Sequence, residues 1–306
     1  MRDTPVWIRM SARVIRALPF GRYRLMNLLC HRPIEAFIHL LDVTNAKMKF
    51  VCNSSDGIAR EACFIGYYEP QETVLMRRLL RSGMCFVDVG ANWGYFTLLG
   101  ADLVGPTGRV ISFEPHPTLY SLLQSNVSMN GLGCTTLPIA LADSVGEMTL
   151  SGFDKHDGNW GVSQLLASPN SRRPQYQVQT GLLETLLDEA GIAEVDLLKI
   201  DIEGAEALVL PTITKGLSCA RYKRILLELH PPALSERGTT GETLSRQLLD
   251  YGYQGWTIDH SPRAFKRAAY RFPLSPAEFL SPLDLSLSFG EWPHVLFLAP
   301  GIQPSW

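Results

Sequence analysis

Six ionisable residues fall at the ends of short apolar runs: Asp88, Glu114, Asp143, Asp201, Glu228 and His230. In an open parallel sheet, ligands bind outside the carboxyl ends of the strands. Side chains scattered over more than 140 residues would therefore converge on one rim. Carboxylates there can accept hydroxyl protons or face a cation, and a histidine or acid can take a proton from a substrate. Strand alternation puts Glu228 and His230 on one face, and likewise Lys199 and Asp201.

The ligand class is read from Cys85–Gly94, CFVDVGANWG. The run ending at Val89 reads as a buried parallel strand, which then breaks into Gly90-Ala91-Asn92-Trp93-Gly94. Glycines directly after such a strand let the backbone approach a ligand closely. The spacing is G-x-x-x-G. Asn92 stands where a G-x-G-x-x-G pyrophosphate turn needs its second glycine, and no phosphate-loop G-K-[ST] is present. A nucleoside without phosphate and with a cationic tail fits, as in S-adenosylmethionine. Asp88 is then expected to attract the methionine end. Glu114, closing the run Gly108–Phe113 and followed by Pro115, would accept the ribose hydroxyls. Asp143, after a strand over Thr135–Ala142, would accept the adenine amino group, although Asp-Ser is also ordinary turn chemistry.

Elements must hold these groups in place. A helix is expected over Leu119–Asn130 and further strands over Glu147–Ser151, Val195–Ile200, Arg224–His230, Gly255–Asp259 and Trp292–Leu298. The alternation of strand and helix makes this an α/β protein. The stretch from Ser261 to Gly290 is rich in proline and serine and reads as a loop.

In that order, GYYEPQET, VDVGANWGYFT, FEPHP, ALAD, LLKIDIEGAE and LLELHP resemble the FkbM family of S-adenosylmethionine-dependent methyltransferases. The resemblance runs from about Phe50 to Pro232 and leaves the first 50 residues uncovered. It implies a class I methyltransferase fold: a seven-stranded, mostly parallel sheet with an antiparallel last strand and helices on both faces. It also implies methylation of a hydroxyl on a sugar or natural-product acceptor. The cofactor-binding set is then Asp88, Gly90, Ala91, Asn92, Gly94, Glu114, Pro115 and Asp143, with Tyr68 and Glu69 covering the site. The catalytic set is Asp201, Glu203, Glu228, His230 and Lys199.

A neutral alcohol is a poor nucleophile, so a base or a metal should help remove its proton. His230, with an ordinary pKa of about 6.5, suits a general base near neutrality. The same acids and histidine could hold magnesium or manganese, but base catalysis without metal is the favoured reading. For His230 the plain alternative is a structural ring. For Glu203 and Glu206 it is favourable charge in a helix's first turn. Lys199, in a buried strand, must pair with an acid or orient the substrate. Trp160 could stack on a sugar, while His156 and Asp157 read equally as a solvated loop. A nicotinamide oxidoreductase on the same topology and a non-catalytic binding module are the rival functions.

The chain has 306 residues, 46% hydrophobic and 19% charged, as an ordinary globular protein does. Two regions are expected: a helical segment over 1–49 and the methyltransferase domain over 50–306. A net charge of −2 gives no general case for nucleic acid, and six cysteines without a C-x-x-C pair read as free thiols in a reducing cytoplasm. Residues 1–34 stand apart, with seven arginines against the single acid Asp3. Trp7, Met10, Val14 and Leu18 recur at helical spacing, and Arg9, Arg13 and Arg16 form a second stripe. Such a helix can lie on the inner surface of an anionic membrane, but packing on the catalytic domain is the favoured reading. The arginines interrupt any signal-peptide core, and the apolar run is too short to span a bilayer.

Overall fold

The structure is a computed structural model that describes residues 2–32, 34–153, 163–165, 173–286, 293–304 and 306. Its strands are β1 (Phe37–Leu40), β2 (Lys49–Cys52), β3 (Cys85–Val89), β4 (Arg109–Phe113), β5 (Thr135–Leu137), β6 (Ile139–Leu141), β7 (Gly146–Ser151), β8 (Gln164–Leu165), β9 (Gln175–Gly181), β10 (Leu197–Ile200), β11 (Arg224–Glu228), β12 (Gln254–Ile258), β13 (Leu280–Pro282) and β14 (His294–Leu298). The helices are α1 (Val6–Ala17), α2 (Arg22–Leu29), α3 (Gly57–Phe64), α4 (Pro70–Leu79), α5 (Tyr95–Val104), α6 (Pro117–Met129), α7 (Leu183–Glu189), α8 (Glu206–Val209), α9 (Thr214–Ser218), α10 (Pro231–Glu236), α11 (Gly241–Asp250) and α12 (Pro262–Arg271).

The central sheet runs β13-β12-β14-β11-β10-β3-β4-β5. Strands β5, β4, β3, β10 and β11 are parallel, and β14 inserts antiparallel between β11 and β12. This is the class I methyltransferase sheet, with β13 as an eighth strand at the β12 edge. All five residues of β3 are buried, because a central parallel strand is covered on both faces. Phe86 and Leu226 face one apolar layer, with α4 and α5, while Val87, Val89, Ile225 and Leu227 face the other.

Three expectations change. The single strand over Thr135–Ala142 is two: Pro138 has no N–H for a ladder, so β5 joins the central sheet and β6 pairs with β9 in a second, four-stranded sheet. The loop expected from Ser261 contains α12, capped by the Ser261 hydroxyl accepting from the Ala264 N–H at 3.2 Å. The segment over 1–49 is not all helical, since β1 pairs antiparallel with β2 across residue 49. Ile8, Ala12 and Ile15 of α1 are buried in the same core as Phe64 and Phe86.

Candidate active site

The turn after β3 is fixed from several sides. Gly90 has φ +85° and Gly94 φ +99°, both in the left-handed region. A Cβ on Gly90 would lie 1.9 Å from the Asp201 carbonyl oxygen, so only glycine lets the turn pass the end of β10. The Asp56 carboxylate caps α3 through the Ala59 N–H at 2.9 Å and also accepts the Trp93 indole N–H at 3.1 Å. Asn126 of α6 donates to the Trp93 carbonyl at 2.8 Å and accepts from the Val51 N–H at 2.8 Å.

Beside this turn lies a cavity of about 310 Å³. Tyr68, Gly90, Ala91, Asn92, Glu114 and Pro115 line it, as do Lys199, Asp201, Glu203, Glu228 and His230. Glu114 sits one residue past β4 and is almost fully buried. Its carboxylate accepts the Asn92 N–H on Oε2 and the His116 N–H on Oε1, each at 2.8 Å. Burial pushes its pKa up to about 7, against the pull of those two bonds.

Four expected cofactor residues do not line the cavity. Asp88 is completely buried, and its Oδ2 accepts the Thr97 hydroxyl at 2.7 Å, from α5. Asp88 lies one residue inside β3, in register with Lys199 and on the face of Phe86, and its short side chain is held against α5 below the rim. Burial outweighs the opposing Lys199 charge and raises its pKa. Asp143 is exposed and faces Ser144, because its strand β6 belongs to the second sheet. Gly94 starts α5, beneath Leu123. Glu69 lies behind Tyr68 at φ +39°, its Oε2 buried without a hydrogen-bond partner among the described residues. Trp160, His156 and Asp157 lie outside the described residues.

All five expected catalytic residues meet at the cavity. Lys199 donates to Asp201 Oδ2 at 2.8 Å and sits 4.7 Å from the Phe96 ring centroid. Burial alone would lower its pKa, but Asp201, Glu69, Asp88 and Glu228 raise it. His230 Nδ1 lies 3.1 Å from Glu206 Oε1, and its Nε2 faces Glu203 and Glu228 at 3.6 Å and Asp201 at 3.9 Å. Burial opposes its charge, yet Glu206, Asp201 and Glu203 push its pKa up to about 10. The histidine expected near 6.5 is therefore protonated at neutral pH. Glu203, after a backbone at φ +52°, is raised to about 7, by burial first.

Sequence reading missed a second layer. Glu206, taken for helix-terminal charge, is fully buried and holds both His230 and the Ile202 N–H. His294 opens β14 and pairs in register with Glu228. Its Nε2 lies 3.4 Å from Glu228, its Nδ1 2.9 Å from Glu72, and His260 Nε2 is 2.6 Å from the same Glu72 oxygen. Burial would raise Glu228, but His294, His230 and Lys199 hold it at about 2. No spacing signal could have found His294. In an antiparallel strand the first residue, not the last, lies at the rim.

The methyltransferase FkbM domain model matches residues 88–254. The chain is 29% identical to the 31-O-demethyl-FK506 methyltransferase FkbM of Streptomyces tacrolimicus, over 49% of this chain and 67% of that one. It is 27% identical to the 2-O-methyltransferase NoeI of Sinorhizobium fredii, over 54% and 69%. Aeropyrum pernix fibrillarin with bound S-adenosyl-L-methionine superposes with a TM-score of 0.39 at 10% identity, over 72% of this chain and 68% of that one. The chain spans between 9% and 69% of the length of such relatives. With more than half of its residues matched by one family model, the chain belongs to the FkbM methyltransferase domain family.

Proposed function

We propose that this protein transfers the methyl group of S-adenosylmethionine to a hydroxyl of a small-molecule or glycan acceptor. The observation that carries the reading is Glu114. Two backbone N–H groups fix its carboxylate on the cavity wall, with lone pairs left for a diol. The Gly90 turn leaves room for close approach, and five further ionisable side chains line the cavity. The donor and acceptor set thus fits a nucleoside with free ribose hydroxyls. When bound, S-adenosylmethionine supplies a methyl already activated by the sulfonium. Oxygen-linked acceptors are favoured by the names of the two relatives. Family membership lends nothing to hydride transfer.

The work left to the chain is alignment of the hydroxyl and removal of its proton. Glu203 suits the proton transfer, since it lines the cavity and its pKa near 7 matches the working pH. Asp201, Glu228 and protonated His230 position the acceptor, and Glu206 and His294 hold those groups in place. As the new O–CH3 bond forms and the C–S bond breaks, the hydroxyl proton passes to the Glu203 carboxylate.

Calorimetric titration with S-adenosylhomocysteine tests the cofactor pocket. Micromolar binding is expected, and Glu114→Ala should weaken it by at least tenfold. The affinity should also depend on pH. Only the ionised carboxylate accepts both hydroxyls, so binding tightens as pH rises through about 7. By the ionised fraction, the affinity at pH 6 is roughly tenfold lower than at pH 8. Glu114→Gln should remove that slope. A well-folded protein that binds no S-adenosylhomocysteine at either pH would end this reading.

A further inference from the structure

The N-terminal helix has two apolar faces, and the core uses only one. Ile8, Ala12 and Ile15 are buried, and helix α1 is locked by Arg16, which donates to the Cys63 carbonyl at 2.6 Å and pairs with Asp42. The stripe read from the sequence as Trp7, Met10 and Val14 points the other way, at 49%, 62% and 56% exposure. Val6, Phe20 in the α1–α2 turn and Leu28 on α2 are exposed beside it in the chain. Six of the nine large exposed hydrophobic residues described therefore fall within 28 residues. A monomer seldom leaves such a concentration uncovered without a partner.

Charge says which partner. Arg9, Arg13, Arg24 and Arg32 are exposed and form no ion pair among the described residues. Arg16 and Arg22 turn inward, Arg22 over the Tyr270 ring at 4.9 Å. Helix α12 joins α2 through Tyr23 and Phe265, whose ring centroids are 5.5 Å apart. It adds exposed Arg263, Lys266 and Arg267. Asp3 is the one acid in residues 1–34, and α12 has none. An aromatic and aliphatic stripe flanked by unpaired arginines matches the interface of an anionic bilayer, where rings sit at headgroup depth and guanidinium groups reach phosphates. A second copy of this chain would set like charges against each other. No described helix is long and apolar enough to cross a membrane, so contact would be peripheral.

We propose that α1, the α1–α2 turn and the adjoining basic face of α12 form a docking surface for anionic lipid bilayers. The contact is independent of the methyl-transfer reading. It would, however, bring the membrane close to the cavity: Tyr67 donates its hydroxyl to the Ala268 carbonyl of α12 at 3.3 Å, and its neighbour Tyr68 lines the cavity.

The test is sedimentation of the full chain with vesicles of phosphatidylcholine alone and of phosphatidylcholine with phosphatidylglycerol, at low and high salt. Binding is expected only to the anionic vesicles, weakening at high salt, with a blue shift of tryptophan emission lost in Trp7→Ser. Arg9→Gln with Arg13→Gln should lower partitioning roughly 30-fold. Trp7→Ser with Met10→Ser should lower it with less salt sensitivity. All these side chains are exposed and none lines the cavity, so a melting temperature equal to the parent's serves as the control for folding. Absence of binding to anionic vesicles at low salt would overturn the proposal, as would variants that bind like the parent. A dimer dispersed by Trp7→Ser, without vesicle binding, would assign the face to a second copy.

Discussion

Glu203→Gln is expected to lower kcat by roughly 10²–10⁴-fold while leaving S-adenosylhomocysteine affinity within about threefold. The glutamine keeps the volume and removes the proton acceptor. In the parent, kcat should rise with pH through about 7, because burial holds the Glu203 pKa there and only the ionised form can take the proton. The variant's residual rate should lack that rise. The same shift has a consequence for stability. Glu203 has a pKa raised above its unfolded value, so its contribution is complete below about 4.5 and is lost as pH rises through about 7. At pH 8 the ionised, largely buried carboxylate costs up to about 3 kcal/mol. The variant should therefore unfold at a higher temperature than the parent at pH 8 and not at pH 4.5. An active variant with an unchanged pH profile would move the base to another residue of the cluster.

Gly90→Ala should damage fold and site together. The added carbon would sit 1.9 Å from a backbone oxygen, that of Asp201, and at φ +85°. Relief requires β3 and β10 to separate where the Asp201 N–H meets the Val89 carbonyl at 3.0 Å. Left-handed backbone and overpacking together cost roughly 2–5 kcal/mol, or about 3–8 °C in melting temperature for a chain of this size. Cofactor affinity should fall even in molecules that remain folded, because the same shift moves Asn92 away from Glu114. Gly131→Ala is the control: its φ is +63°, but nothing lies within 4 Å of its Cβ. It should cost only the left-handed penalty. A Gly90→Ala protein with parental melting and binding would refute the close approach of turn and strand as the reason for glycine here.

The site was legible wherever a functional side chain stands at the C-terminal end of a parallel strand. Glu114, Asp201 and Glu228 terminate or directly follow β4, β10 and β11, and the chain's own order of apolar run and acid announces them. The Gly90–Gly94 turn was legible for the same reason: glycine after a buried strand has few uses. The fold class followed from alternation, and helices α1 and α6 from apolar spacing. Asp88 misled because it lies one residue inside β3, where its short side chain is taken up by Thr97 of α5 below the rim. Asp143 misled because Pro138 diverts the chain into another sheet. His294, Glu72 and His260 carry no local signal. His294 meets Glu228, and on its other side the Glu72 that also holds His260, only because β14 runs antiparallel and brings its first residue to the rim, against α4. By itself, then, the sequence determined the α/β class, the family, the glycine turn and the acids on the rim, because strand-end chemistry is local. Tertiary structure alone decided which acids and histidines have their pKa values shifted and which stripe of α1 meets solvent, because those depend on burial and on partners distant in the chain.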